Sequence, residues 1–173
     1  MEFHCSSEFT RRLDKVVTFV QEDDTHAACV FVGSKSKSHH LLTELERKLN
    51  DALLTVDVIH VHGSLSKEEK FWLIRIYCAN IDAADLCGRI LLATSAANVG
   101  IDNNLAKLVL QLGWPRDLCT YFQQRGRAGR DSRMLAECIL LGSVKSFVTV
   151  MFQIHLSTDA STLDEDSEAL DRA

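Results

Sequence analysis

The segment Gln123-Gln124-Arg125-Gly126-Arg127-Ala128-Gly129-Arg130-Asp131 sets two arginines, Arg127 and Arg130, three residues apart among glycines. Arginine stays charged and presents a planar fork of donors that matches phosphate oxygens. A spacing of three predicts that both project from the same side of a helical turn. The glycines let the backbone pass close to another surface. Together these features suit the stabilisation of charge on a phosphoryl group. Arginine clusters are ordinarily solvated basic turns, but the pattern Q-x-x-G-R-A-G-R is too long and too rigidly spaced for that reading.

Leu92-Ala93-Thr94-Ser95-Ala96-Ala97-Asn98-Val99-Gly100-Ile101-Asp102 leads out of a predicted strand. Its hydroxyls and amides at Thr94 and Ser95 suit a sugar–phosphate backbone. A plain strand-to-helix turn is the competing reading of this segment taken alone. Val30-Phe31-Val32-Gly33-Ser34-Lys35 and His60-Val61-His62-Gly63-Ser64-Leu65 likewise join a strand to a polar turn. In open α/β sheets ligands bind beyond the carboxyl ends of the strands, so all of these segments are expected on that edge. His60, His62 and the pair His39-His40 raise the question of a metal. No carboxylate or cysteine partners them in a recognisable metal-ligand spacing, so no metal site is expected.

Some chemistry is missing. No G-x-x-x-x-G-K-[ST] occurs, so nothing cradles the β- and γ-phosphates of a nucleotide. Gly33-Ser34-Lys35-Ser36-Lys37-Ser38 lacks the glycine-rich lead and the Gly-Lys-Ser order. Asp164-Glu165-Asp166-Ser167 imitates a magnesium-binding acidic box, but no apolar strand precedes it.

The elements that must position these residues follow from patterning. Short β-rich runs alternate with amphipathic stretches, which predicts one α/β domain with a mostly parallel central sheet and helices on both faces. Strands are expected at Ala27 to Val32, Val56 to Val61, Arg89 to Ala93, Lys107 to Gln111 and Glu137 to Leu141. Phe9, Leu13, Val16, Val17 and Val20 form one stripe of a helix from Glu8 to Gln21. Leu41, Leu45 and Leu49 mark a second helix. Ser66-Lys67-Glu68-Glu69 has the form of a capping box that opens a third, rich in apolar residues (Phe71, Trp72, Ile74, Tyr77, Cys78, Ile81). Asp117 can cap another after Pro115, and Ser143 to His155 is expected as the last.

Length, 46% hydrophobic and 25% charged residues place the chain among soluble globular domains. No apolar run is long enough to span a bilayer and no signal peptide is visible, so an address in the nucleus or cytoplasm, without membrane contact, is expected. Six cysteines without a C-x-x-C pair read as reduced thiols. The net charge of −5 resides in residues 157–173, and the remaining residues 1–156 are balanced. This predicts a folded lobe over 1–156 and an acidic, Ser/Thr-rich, disordered tail over 157–173.

The arginine segment resembles helicase motif VI, and GRAGRD preceded by Tyr121-Phe122 resembles its RecQ form. The Thr94 segment resembles motif V, A-T-x-A-x-x-x-G-I-D, and the Gly33 and Gly63 turns resemble motifs IV and IVa. From about residue 8 to 156 the chain is similar to the C-terminal, second RecA-like domain of superfamily 2 helicases, most of all RecQ-type ATP-dependent DNA helicases. Gln124 stands where that family commonly has glutamate.

The resemblance implies arginine fingers at Arg130 first and Arg127 second. It implies nucleotide-facing roles for Gly100, Asp102 and Gln123, where Asp102 can accept from a ribose hydroxyl. Ser34, Lys35, His62, Gly63, Thr94 and Ser95 become the single-strand grip. ATP and Mg²⁺ would be held mainly by an N-terminal lobe outside this sequence, in cis or in trans, and the isolated chain would not hydrolyse ATP. The implied substrate is single-stranded or forked DNA, unwound 3′ to 5′. A binding lobe without ATPase activity and a DEAD- or DEAH-type RNA helicase lobe are the alternatives.

Overall fold

The computed structural model describes residues 7–22, 27–79, 88–97, 101–103, 106–115, 117–129 and 135–142. The chain divides into two units, Met1–Leu141 and Gly142–Ala173, and the fold below is that of the first. The helix expected at Ser143 to His155 and the acidic tail lie outside the described residues, as do Gly100 and Arg130.

Five strands, β1 (Ala27–Val32), β2 (Val56–Val61), β3 (Gly88–Ala93), β4 (Ala106–Leu112) and β5 (Glu137–Leu141), form one sheet in the order β2-β3-β1-β4-β5. Every pairing is parallel, with Cys29 between Leu91 and Val109 at the centre. β1 is buried along its whole length, which is why its sequence, AACVFV, is a continuous apolar run. All five strand positions agree with the sequence reading to within a residue.

The helices are α1 (Ser7–Glu22), α2 (Lys35–Asp51), α3 (Lys67–Cys78) and α4 (Leu118–Arg125), with a short 3₁₀ turn at Ser95–Ala97. Their faces follow from handedness. The step from β1 to β2 crosses the sheet in one direction, and those from β2 to β3 and β4 to β5 cross in the other. Right-handed crossovers then require α2 on one face and α3 and α4 on the opposite face. Accordingly Leu41, Leu45 and Leu49 of α2 join Leu13, Val16 and Val20 of α1 over Val30, Ile90, Leu92 and Leu110. On the other face Leu73, Ile74 and Tyr77 of α3 pack over Phe31, Leu91 and Val109.

The predicted capping box at α3 is formed. Glu69 N–H donates to Ser66 Oγ at 3.1 Å, and Ser66 N–H donates to Glu69 Oε2 at 2.7 Å. The apolar content of α3 is only partly core, because Phe71, Trp72 and Ile76 are exposed. Arg75 lies over both aromatic rings, at 5.6 Å and 5.7 Å from their centroids, and partly covers them. Among the described residues no helix is long and apolar enough to cross a membrane.

Candidate nucleotide and nucleic-acid site

The candidate residues fall at both edges of the parallel sheet. Its carboxyl edge carries the loops after β1, β2 and β3, and there Ser34, Lys35, His62, Gly63, Thr94 and Ser95 come together as the sequence predicts. Three helices, α2, α3 and α4, begin at this edge, so their unpaired N–H groups and dipoles favour an anion. Ser34 is the N-cap of α2, accepting from Lys37 N–H at 3.4 Å, and its hydroxyl is thereby engaged in shaping the loop. Lys35 Nζ donates to Ser64 Oγ at 2.8 Å and Lys70 Nζ to the Gly63 carbonyl at 3.1 Å. These bonds join the loops after β1 and β2 and line the rim with two ammonium groups.

Thr94 is buried and its N–H donates to the Val61 carbonyl at 3.0 Å, whereas Ser95 is exposed. Thr94 therefore fixes the height of the turn, and Ser95 is the member of the pair open to solvent. His62 is half-buried. Burial first, then the positive charge of Lys35, lowers the basicity of its imidazole. Sequence reasoning missed Lys70 and Ser64. The capping box held the clue, since it opens α3 at Lys67 and so places Lys70 in the first turn beside the Gly63 loop.

The arginine segment lies elsewhere. Helix α4 follows β4 and runs back along the sheet, so its end meets the amino edge: Gly129 N–H donates to the carbonyl of Ala106, the first residue of β4, at 3.1 Å. The expectation that all motif segments share the carboxyl edge is thus corrected. A strand and its returning helix point in opposite directions, and motif VI sits at the far end of the helix. The helical turn expected to carry Arg127 and Arg130 is corrected as well. α4 ends at Arg125, and Gly129 adopts φ +67°, which interrupts any helix.

At the amino edge Arg127 Nη1 donates to the Ile101 carbonyl at 2.7 Å, next to the exposed Asp102. Asp102 N–H donates to Cys78 Sγ at 3.3 Å, and Asn103 Nδ2 to the Tyr77 carbonyl at 2.7 Å, so the end of α3 positions this loop. Gln123 is exposed on α4, while Gln124 is buried against the sheet. The neutral amide at that position avoids the desolvation a carboxylate would suffer. A carboxylate and a guanidinium on one rim fit a nucleotide, the first for a ribose hydroxyl and the second for phosphate.

Of the motif V segment, Thr94 stands on the carboxyl edge and Asp102 on the amino edge, with Ala97 and Ile101 both buried in the core on the α3 face.

Comparison with known proteins agrees with this geometry. The family described as the helicase conserved C-terminal domain matches residues 10–132. ATP-dependent DNA helicase RecQ of Bacillus subtilis is 26% identical over 158 residues, which is 88% of this chain. The chain spans about a quarter (24%) of the length of that relative. Among solved structures, domain 2 of the DEAD-box helicase Mss116p, bound to an RNA duplex, superposes with a TM-score of 0.63 at 18% identity, covering 78% of this chain and 49% of that one. The Mycobacterium smegmatis helicase Lhr, bound to single-stranded DNA and AMP-PNP, gives 0.57 at 22% identity, covering 82% of this chain and 18% of that one. Its match to the family, its parallel RecA-like sheet and its motif order together make this chain a member of the helicase conserved C-terminal domain family, the second RecA-like lobe of superfamily 2 helicases.

Proposed function

We propose that this chain is the C-terminal half of an ATP-dependent motor that unwinds DNA 3′ to 5′ in the manner of RecQ helicases. The observation that supports the reading is the placement of motif V, with Thr94 on the cationic carboxyl rim and Asp102 beside the Ile101 carbonyl that Arg127 holds on the other rim. A motor needs such a link between the place where phosphates react and the place where a strand is gripped. Ser34, Lys35, His62, Gly63, Thr94 and Ser95 form the grip, acting on phosphates without reading bases. Arg130 and Arg127 are the fingers, Asp102 and Gly100 serve the ribose side, and Gln123 of α4 is the further nucleotide-facing residue. ATP supplies the free energy by phosphoryl transfer when bound. It is held with Mg²⁺ mainly by a first RecA-like lobe, in cis or in trans, because this sequence contains no P-loop.

The test is DNA-stimulated ATPase of a two-lobe assembly carrying Arg130→Ala or Arg127→Ala. A loss of about 10³-fold or more is expected for a finger. Unchanged turnover would overturn the assignment and leave a binding lobe that never meets ATP productively. The likeness to an RNA-bound DEAD-box domain favours RNA as the second substrate reading. Parallel unwinding of DNA and RNA duplexes decides between them.

A further inference from the structure

The carboxyl edge holds a histidine cluster of which the helicase reading uses only His62. His39 comes from the second turn of α2, His60 from the end of β2 and His62 from the loop beyond it. Their ring centroids form a nearly equilateral triangle of 4.8, 4.9 and 5.1 Å. One ring nitrogen from each lies within 4.8 Å of the others. The expectation of no metal rested on missing partners in sequence. The fold supplies a third imidazole in their place by bringing α2 against the end of β2.

Two further observations point to a ligand. His62 Nδ1 is buried and has no hydrogen-bond partner, a costly state for a polar atom unless something binds it. Ser38 Oγ donates to the Lys35 carbonyl at 2.7 Å, so its only hydrogen is spent. At 3.0 Å from His60 Nε2 it must therefore accept from that nitrogen. His60 is thereby fixed as the Nε2–H tautomer, with the lone pair on Nδ1. Metal-binding histidines are commonly oriented by such an outer hydrogen bond.

We propose that His39, His60 and His62 form a three-histidine site for a divalent cation of the zinc class, with its fourth coordination position open at the carboxyl edge. Three imidazoles suit zinc, copper and nickel and are poor ligands for magnesium or calcium. With metal–nitrogen bonds of about 2.0–2.1 Å, tetrahedral geometry needs nitrogens about 3.4 Å apart. The widest pair must close by roughly 1.4 Å, within reach of side-chain rotation since His39 is exposed. Lys35 and Lys70 oppose a cation here, and Glu69 is committed to its cap. The site is therefore a moderate binder, and it ties the start of α2 to β2.

The test is titration of the 173-residue chain with Co²⁺, read by its visible spectrum, followed by displacement with Zn²⁺. One Co²⁺ per chain is expected, with tetrahedral d–d bands and no thiolate charge-transfer band. Affinity falls at least about tenfold in His39→Ala and His62→Ala, as loss of even an outer-shell partner does, and is unchanged in the exposed neighbour variant His40→Ala. Thermal melts confirm that each variant is folded, and the exposure of His39 makes His39→Ala the decisive one. Absence of binding, thiolate bands from the free cysteines, or full affinity in a folded His39→Ala would each overturn the site.

Discussion

The guanidinium of Arg127 donates through Nη1 to the main-chain carbonyl of Ile101 at 2.7 Å, which ties the last motif of the chain to the end of motif V. A side chain able to meet phosphate thus also fixes the loop that presents Asp102. Replacing Arg127 by lysine keeps the charge but leaves one compact ammonium for two tasks. In a two-lobe assembly we expect ATPase reduced by about tenfold to hundredfold in Arg127→Lys and by about 10³-fold or more in Arg127→Ala. Wild-type turnover in Arg127→Lys would mean that charge alone suffices.

Gly129 and Gly126 flank that arginine and differ in what they tolerate. Gly129 has φ +67°, and a Cβ there would stand 3.0 Å from Ala136 Cβ. Gly126 has φ −67°, and its Cβ would meet the Phe122 carbonyl at 3.2 Å. Gly129→Ala should therefore lose about 1–3 kcal/mol through backbone strain. Gly126→Ala should lose less. Denaturant midpoints of the two variants check the order, and equal losses would count against the left-handed turn.

Lys35 and Lys70 line the carboxyl rim and engage the loops through Ser64 and Gly63. If they grip phosphates, binding of a single strand falls with salt, and each phosphate contact contributes about 0.7 to the log–log slope. Lys35→Ala and Lys70→Ala should each weaken binding and flatten the slope by about that amount. Affinity measured by fluorescence anisotropy across a salt series checks this, and an unchanged slope would remove that lysine from the grip.

Beneath α3, the Tyr77 hydroxyl donates to the Ala28 carbonyl at 3.2 Å and lies 3.0 Å from Cys29 Sγ, with both side chains fully buried. Burial pushes the Cys29 thiol up to about 12. The thiolate is the reactive form, so at pH 8 only about 10⁻⁴ of this thiol is nucleophilic. Cys29 should label only on unfolding, while exposed Cys119 and Cys138 label in the folded protein. Burial also raises Cys138, so its rate should climb steeply with pH. Tyr77→Phe should lose about 1–3 kcal/mol and hasten Cys29 labelling, both read by pulsed alkylation with mass spectrometry.

The Ser66 cap gives a local test. Its hydroxyl and the Glu69 carboxylate each satisfy one orphan N–H at the start of α3. Ser66→Ala should cost about 0.5–2 kcal/mol, measured as a shift in thermal or urea midpoint. A loss below that range would mean that packing of Leu73, Ile74 and Tyr77 alone sets this helix.

The sequence by itself determined the strands, because a parallel sheet buried on both faces demands apolar runs such as AACVFV, whose ends are visible in the pattern. It also determined the caps at Ser66 and Asp117, since these are contacts between near neighbours in the chain. The edge that carries the candidate residues after β1, β2 and β3 was legible for the same reason: a strand end fixes the edge to which its loop belongs. Only tertiary structure decided that Arg127 occupies the opposite edge, because that depends on how far α4 runs back before its turn. Only tertiary structure brought His39 to His60 and His62, whose approach needs α2 packed against the end of β2. Local patterning specifies elements and their ends, whereas pairings between distant segments arise from chain closure and packing.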